Sequence, residues 1–484
     1  MAPSTPTRAL SPARGIHHKA LKHLKRIYRT SPRRCALLVG ITLLKVTILL
    51  TWALPRIFPW QFLQGNVPSI NIASVRSDPH LLARGLGQAR VIYGHGASKG
   101  NGTHTEIVNE VLWKDDNNEV IQAHGGSILY HEGVYYWYGE NKGGPTLPPG
   151  SGKPPSIVHR VDVIGISCYS SQDLINWHYE GLALRAGQHP DLAPSKVVER
   201  PRVLYNDMTK RYVMWMHLDE ADYELARCGT ATATAPQGPF TYRGSFRPHG
   251  HMCRDFTVFK DDDNSAYIAY SSEDNKVMHI SQLSKDYVGV TQKFIRTMIG
   301  MSREAPAMFK YKGLYLMLTS GCTGWNPNRA EIFFARSPMG EWESLGNPCI
   351  GGTIMARQST FFSQGTYVLP MPGRPNEYVF LADRWVPTNL GNSRYIWLPM
   401  WVLEVPGVDG TDIALSQQRI RRRQRFRSMR FGTAAANNSI PPIDVIVRWH
   451  QKWNLSALNE PPPLCGQVTH GHFESLYANL ECAL

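Results

Sequence analysis

The chain predicts an all-β fold, a five-bladed β-propeller, with one transmembrane helix ahead of it. Three observations lead there. Beyond residue 106 the sequence is rich in Tyr, Trp, Phe and Val in short runs broken by Gly, Asn and Asp, which is strand composition with hairpin punctuation. One strand–turn–strand pattern then recurs five times, and its second strands start about every 50–75 residues, the spacing of propeller blades. Long amphipathic helical windows are absent from this region.

The five pairs are GSILY with VYYWYGE (126–140), PRVLY with RYVMWMH (201–217), FTVF with SAYIAYSS (256–272), APAMF with LYLMLTSG (305–321), and GTYVL with EYVFLADRW (365–385). A third strand follows each, as in IGISCYSS, GTATA, VMHISQL, EIFFARS and RYIWLPMW. Stacked radially, such units bury each sheet between its neighbours and leave only short edges. A two-sheet sandwich is the rival, since alternation and turns alone fit both. The stretch from Ile443 to Trp453 reads as a closing strand, and the run Asp261-Asp262-Asp263 as a hairpin turn rather than a calcium loop.

Ahead of the propeller, Cys35 to Leu54 is a 20-residue apolar run, the length that spans a bilayer core. Lys45 at its centre costs about 2.5–3.5 kcal/mol on insertion scales, which the surrounding Leu, Ile and Val can offset. Arg26, Arg29, Arg33 and Arg34 before it put the N-terminus in the cytoplasm. The length of the run and the poor cleavage site around Trp52–Arg56 favour a signal anchor over a signal peptide. The domain reading is therefore a basic tail (1–34), an anchor (35–54), a lumenal stem (55–105), the propeller (106–455) and a C-terminal tail (456–484). Sequons at Asn101, Asn437 and Asn454 all follow the span, as lumenal glycosylation requires.

The net charge is +14, but nine Lys/Arg lie in the first 34 residues and seven arginines between Arg419 and Arg430. The rest of the chain is mildly acidic, which excludes a nucleic-acid-binding face across the propeller. Seven of the eight cysteines follow the span at irregular spacings, which suggests no zinc site; at least one thiol is left over, and isolated buried cysteine is expected for most.

Inner strands of a propeller line its central channel, so the residue just before each first strand faces the channel mouth. Those five residues are His124, Glu199, Asp255, Glu304 and Gln364. Single charged caps are ordinarily solvated, but five polar residues at one offset converge on one place. Carboxylates across a narrow channel suit glycosidic cleavage, one protonating the leaving oxygen while another group serves water or the developing positive charge. A second carboxylate nearby raises the acid's pKa and keeps its proton on.

The segments QAHGGSILY (from Gln122), YWYGENK (Tyr136), VVERPRVLYN (Val197), CRDFTVFKDDD (Cys253), REAPAMF (Arg303), SGCTGW (Ser320) and FSQGTYVLP (Phe362) resemble glycoside hydrolase family 43. They are most similar to its exo-β-1,3-galactanase branch, including plant Golgi members anchored in the membrane. The resemblance runs from about 106 to 455 and leaves out the tail, the stem and the arginine run. It implies that Glu304 is the general acid and that Asp255 tunes it and binds sugar. Most of the family has an Asp base in the first blade, where this chain reads His124-Gly125-Gly126. Gln364, as the amide or its imidic tautomer, or Glu199 would then serve the water, Glu199 being otherwise a sugar-hydroxyl ligand. Glu140, Tyr223 and Trp325 match galactose-binding positions, with Trp325 either a stacking platform or a core residue. His124 reads as a hydrogen-bonded channel residue rather than a metal ligand. Gly365 departs from the Ser or Asn that usually follows the Ser-Gln motif.

The resemblance thus implies a type II Golgi enzyme releasing galactose from the non-reducing end of β-1,3-galactan in arabinogalactan proteins, with inversion. No organic cofactor is required and no metal ligand set is assigned; a channel cation is compatible with the fold. Inversion further implies that the acid and the water-serving group stand roughly 6.5–9.5 Å apart. The alternatives are an α-L-arabinofuranosidase or β-xylosidase of the same family, against which the missing first-blade Asp counts, and a non-catalytic glycan-binding propeller, which would have no use for Glu304.

Overall fold

A computed structural model describes residues 104–404 and 443–462. The tail, the expected anchor at 35–54, nearly all of the stem, the arginine run, Asn101 and Asn437 lie outside the described residues. Among the described residues no helix is long and apolar enough to cross a membrane.

Five antiparallel sheets follow one another along the chain. Four have four strands each, met in chain order: His124–His131 to His178–Arg185, Val197–Asn206 to Thr241–Phe246, Phe256–Lys260 to Val290–Thr297, and Arg303–Tyr311 to Glu343–Gly346. The fifth runs outward from Gln364–Pro370 through Glu377–Arg384 and Arg394–Glu404 to Ile443–Arg448, with Cys349–Ile350 added in parallel at its edge. First strands of successive sheets touch around a ring, from 124–131 to 197–206, 256–260, 303–311, 364–370 and back to 124–131. That closed circuit is a five-bladed propeller and excludes the sandwich. Asp261–Asp263 lie in the hairpin turn between the first two strands of blade 3.

There is no single central core. Five apolar clusters occupy the five interfaces between neighbouring blades. Second strands such as Arg211–Asp219 are buried along nearly their whole length, because each is covered on both faces. This explains why strict polar–apolar alternation is weak in the sequence and aromatic content high.

The seam between blades 1 and 5, where the first and last segments of the propeller meet, holds a cluster of indoles. Trp137 and Trp397 lie 4.8 Å apart, with Trp113 4.9 Å from Trp397 and Trp177 5.2 Å from Trp137. Closure is made by backbone pairing of Ile107–Val108 with Lys452–Trp453, so the stretch from Ile443 closes the ring as expected. Asn109, 1% exposed, locks the seam: its amide donates to the carbonyls of Trp397 and His450 and accepts from Trp397 N–H.

Cys228 and Cys253 form a disulfide joining the third strand of blade 2 to the approach to Asp255; Cys168 and Cys349 are free and buried, and Cys322 is free and exposed. Asn454 starts a short 3-10 turn, its side-chain carbonyl accepting from Ser456 N–H.

Replacing Asn109 by Ala leaves two seam backbone groups, Trp397 N–H and His450 O, short of a partner, each costing about 1–3 kcal/mol when buried, while Trp397 O keeps the Trp453 Nε1 donor. We expect Asn109→Ala to lower unfolding stability by roughly 2–4 kcal/mol in a denaturant titration; a change below roughly 0.5 kcal/mol would mean that the ring closes without this lock.

Candidate active site

The five candidate residues meet at one end of the channel, but not by preceding their strands. Only Asp255 stands just outside its strand; His124 and Gln364 are the first residues of theirs, Glu304 the second and Glu199 the third. The device that aims them is a bulge. In four of the five inner strands the register slips just past the site residue, between His124 and Ser127, Glu199 and Arg202, Glu304 and Ala307, and Gly365 and Tyr367. Gly125, Arg200 and Ala305, each next in sequence, have φ of 58°, 53° and 49°. A bulge with a left-handed residue turns the preceding side chain out of the pleat, here into the channel.

Across each bulge a second polar residue faces the first. Glu140 pairs with His124, His217 with Glu199, Ser320 with Glu304 and Asp383 with Gln364. His217 and Asp383 were not anticipated, although both stand at the ends of second strands quoted above. Arg200 and Lys142, equally unanticipated, lie within the quoted motifs VVERPRVLYN and YWYGENK.

Arg200 organises the floor. Its Nη2 donates to Asp255 Oδ2 at 2.9 Å and to Gln364 Oε1 at 2.8 Å, and its backbone N–H donates to Glu140 Oε1 at 3.0 Å. Gln364 Oε1 also accepts from Trp385 Nε1 at 3.1 Å. Both of these partners can only donate, so the amide orientation is settled and its NH₂ faces Glu304 Oε1 at 2.9 Å and Ser320 Oγ at 3.2 Å. Gln364 therefore touches the carboxyl directly, inside the 6.5–9.5 Å expected across the site; the pull of Arg200 and Trp385 on its oxygen leaves the NH₂ no other direction.

Burial, and next the Asp255 carboxylate, push the Glu304 pKa up to about 8 against the opposing charge of Arg200. Since Oε1 accepts from Gln364, the proton belongs on Oε2. The Cys322 thiol lies beside this carboxyl and donates to Asn275 O. Asp255 Oδ2 takes a second donor, Ala305 N–H, at 3.2 Å.

On the opposite wall Glu199 Oε1 accepts from Tyr223 OH at 3.0 Å and lies 3.8 Å from Lys142 Nζ, which is itself 2.8 Å from Glu140 Oε2. Burial would raise Glu199, but His217, Lys142 and Arg200 hold it down to about 2.

His124 is fully buried, its Nδ1 2.9 Å from Asp383 Oδ1, and the Gly125 N–H donates to Asp383 Oδ2. At 125 a Cβ would lie 2.1 Å from Glu140 Oε1. The room for a first-blade carboxylate is thus filled by Glu140. Trp325 is half-buried rather than core; its ring packs 4.8 Å from Trp385 and its Nε1 donates to His159 O. Beneath the site, Arg202 donates to the carbonyls of Gly125, Pro201 and Thr366, tying blades 1, 2 and 5.

Among the described residues one group has the composition of a cation site, Glu199, His217 and Asp255, with one ligand-type atom from each within 4.8 Å. His217 has Asp219 Oδ2 at 2.9 Å from Nε2 and Glu199 Oε2 at 3.6 Å from Nδ1. Asp219 thus takes Nε2, and Nδ1, which has no hydrogen-bond partner, is the ring atom left to face a cation held with Glu199 and Asp255.

A propeller whose channel mouth holds a protonated carboxyl against an amide and a salt-bridged carboxylate is built as a glycosidase. The chain belongs to glycosyl hydrolases family 43, whose model matches residues 127–369. Among solved structures it is similar to a family 43 β-1,3-galactosidase at 31% identity (73% of this chain, 64% of that one, TM-score 0.59). A second such galactosidase, solved with galactodeoxynojirimycin, is 35% identical (72% and 100%, TM-score 0.57). The exo-β-1,3-galactanase of Phanerochaete chrysosporium, solved with β-1,3-galactotriose, is 36% identical (61% and 64%, TM-score 0.54). The chain thus spans somewhat less than two thirds of the first and third of these. Among curated proteins none matches.

Two outcomes follow from this geometry. Gly125→Ala meets both a left-handed backbone and the Glu140 carboxylate, and is expected to cut kcat by at least about tenfold, a 1.4 kcal/mol misplacement; wild-type turnover would mean that Glu140 is free to move. Activity that requires protonated Glu304 falls as pH rises through about 8. Asp255→Asn removes the neighbouring negative charge and leaves Arg200 closer in effect to Glu304, so the alkaline limb of kcat/KM moves to lower pH. A limb that stays in place would deny Asp255 this role.

Proposed function

We propose that this protein removes single galactose units from the non-reducing end of β-1,3-linked galactan, inverting the anomeric centre. The observation that carries the reading is the Glu304 carboxyl, held protonated near neutral pH by burial and Asp255 while Gln364 occupies its other oxygen. Such an acid can protonate the glycosidic oxygen as the bond to C1 breaks. The substrate class is supported by the galactosidase and galactanase identities of the similar structures, and by the lack of room at Gly125 for a first-blade base.

In this reading Asp255 and Arg200 hold Gln364 at the acid, and entry of the sugar parts the 2.9 Å contact between Gln364 and Glu304. Glu140, Tyr223 and Lys142 bind hydroxyls, and Trp325 with Trp385 forms an apolar rim on which a galactose face can stack. The wider assignment is a plant-type Golgi enzyme held by residues 35–54, with arabinogalactan proteins as substrate. It rests on the apolar run, the basic flank and the sequence motifs.

The test is to incubate the full-length chain with β-1,3-galactobiose, β-1,3-galactan, and arabinofuranosyl and xylosyl substrates, following products and their anomeric form. Galactose released from the β-1,3 substrates alone, initially as the α-anomer, is the expected result, and Glu304→Gln should lower kcat by about 10²–10⁴. Folded protein that binds galactan but releases nothing would make this a glycan-binding propeller; release of pentose would redirect the specificity.

A further inference from the structure

Each inner strand begins at the channel mouth, and its antiparallel neighbour ends there, as the pairs His124–Glu140, Glu199–His217 and Gln364–Asp383 require. The connections from second to third strands therefore ring the mouth. They are residues 220–226, 273–276, 322–330 and 385–393 in blades 2 to 5, and residues 141–164 in blade 1. Three of the short ones carry Tyr223, Trp325 and Trp385, already placed at the sugar pocket. The blade 1 connection is far longer than any of them, and connections of that length in a compact domain are usually binding loops or lids. It also has structure of its own: Thr146–Leu147 pairs with Arg160–Val161, so the segment stands on the rim as a small separate hairpin.

This hairpin is tied to three other blades. The Ile157 N–H donates to Ala221 O at 3.3 Å, in the same blade 2 connection as Tyr223. Thr146 Oγ1 accepts from the Leu390 N–H of blade 5 at 2.9 Å. The His159 carbonyl accepts from Trp325 Nε1 of blade 4 at 3.2 Å. Blades 1 and 4 are not neighbours in the ring, and Trp325 packs 4.8 Å from Trp385 of blade 5, so this last bond bridges the blade 5 side of the mouth. Trp385 Nε1 in turn donates to Gln364 Oε1. A continuous chain of contacts thus runs from the hairpin to the amide beside the acid. Blade 3 differs. Its connection, 273–276, is the shortest, and among the described residues no hydrogen bond or ion pair joins it to the hairpin.

We infer that the hairpin of residues 141–164 is the specificity-determining element that limits cleavage to the terminal sugar: it closes the mouth into a pocket with one exit, toward blade 3, and holds Trp325 where the terminal ring stacks. The inference deepens the galactanase reading and rests on it for the substrate. Cleavage inside a glycan needs a groove with two exits, because sugar units continue on both sides of the scissile bond. Cleavage at an end needs only one. The exit left open adjoins Asp255 of blade 3 and Glu304 of blade 4. That is the side on which the leaving chain departs, since the acid protonates the oxygen which that chain carries away. Trp325 is held through its indole N–H by a backbone carbonyl, so its placement depends on the path of the hairpin and not on any side chain within it. Its effect falls on sugar binding, because it touches neither Glu304 nor the oxygen to be protonated.

The test compares the full-length chain with a variant in which residues 148–159 are replaced by Asn-Gly, a two-residue turn that can join the paired Leu147 and Arg160. The substrates are β-1,3-galactan and the same galactan after borohydride reduction and periodate oxidation. Internal 3-linked units have no vicinal diol and survive periodate, whereas the non-reducing terminal unit is opened. The wild type should release galactose alone from the first and nothing from the second. The variant should form galactobiose and longer products, and cleave the oxidised chain at least about tenfold faster than the wild type. A folded variant that still releases galactose alone and leaves the oxidised chain intact overturns the inference, as does a wild type that cuts the oxidised chain. Trp325→Phe keeps a ring but loses the donor and needs no rebuilt hairpin. It should raise KM for β-1,3-galactobiose about three- to tenfold, the loss of one hydrogen bond, with kcat within about threefold; an unchanged KM would mean that the hairpin does not hold the platform. Release of pentose and not galactose by the wild type would sink the galactanase reading, and the same comparison of product sizes on the pentose polymer would then decide the role of the hairpin separately. A wild type inert on every glycan overturns both.

Discussion

Arg200 is the point on which the site depends. One guanidinium from blade 2 reaches an acid of blade 3 and an amide of blade 5, while its backbone N–H holds a carboxylate of blade 1. It sits in the left-handed region at φ 53°, so the chain accepts local strain to place it. Removing one member of a buried pair leaves the other charge uncompensated, at about 3–5 kcal/mol. The acid, its tuning carboxylate and the amide are therefore one electrostatic unit rather than three independent residues. Arg202, two residues on, performs the mechanical counterpart. Burial pushes its guanidinium down to about 9, and its bonds to three backbone carbonyls staple blades 1, 2 and 5 below the pocket.

Such a unit needs a rigid frame. The five interblade clusters and the indole-packed seam supply it, because the position of each inner strand is set by the sheets on both sides. A propeller whose first and last segments pair has no free edge along the ring, and hence no slack through which the site could spread. The repeated bulge then solves the same local problem in four blades, turning one polar side chain away from an otherwise apolar sheet and toward the axis.

The electrostatics divide the pocket in two. At Glu304 burial and a like charge win, and the carboxyl keeps its proton. At Glu199 burial acts in the same direction but fixed cations outweigh it, and the carboxylate stays ionised. Two glutamates at equivalent places in blades 2 and 4 thus take opposite protonation states. That separation is what acid-assisted cleavage requires.

Much of this was legible in the chain alone. Five aromatic hairpins at a blade-like period, a polar residue at the head of each first strand, the closing stretch after Ile443 and the Asp261–Asp263 turn are local patterns, and local patterns survive in sequence because strand alternation and turn chemistry act over a few residues. Arg200, Lys142, His217 and Asp383 stood within the same segments without being recognised, since their partners are set by register. A bulge shifts register by one residue, which neither composition nor spacing reveals. The bond between His124 and Asp383 spans 259 positions and exists only once the ring closes. The protonation of Glu304 likewise belongs to no segment, because it follows from the depth of the pocket and the distance to Asp255. Sequence by itself determined which residues line the channel; only the tertiary structure decided which of them are charged and what each one faces, because Coulomb and desolvation energies depend on distances that folding alone creates.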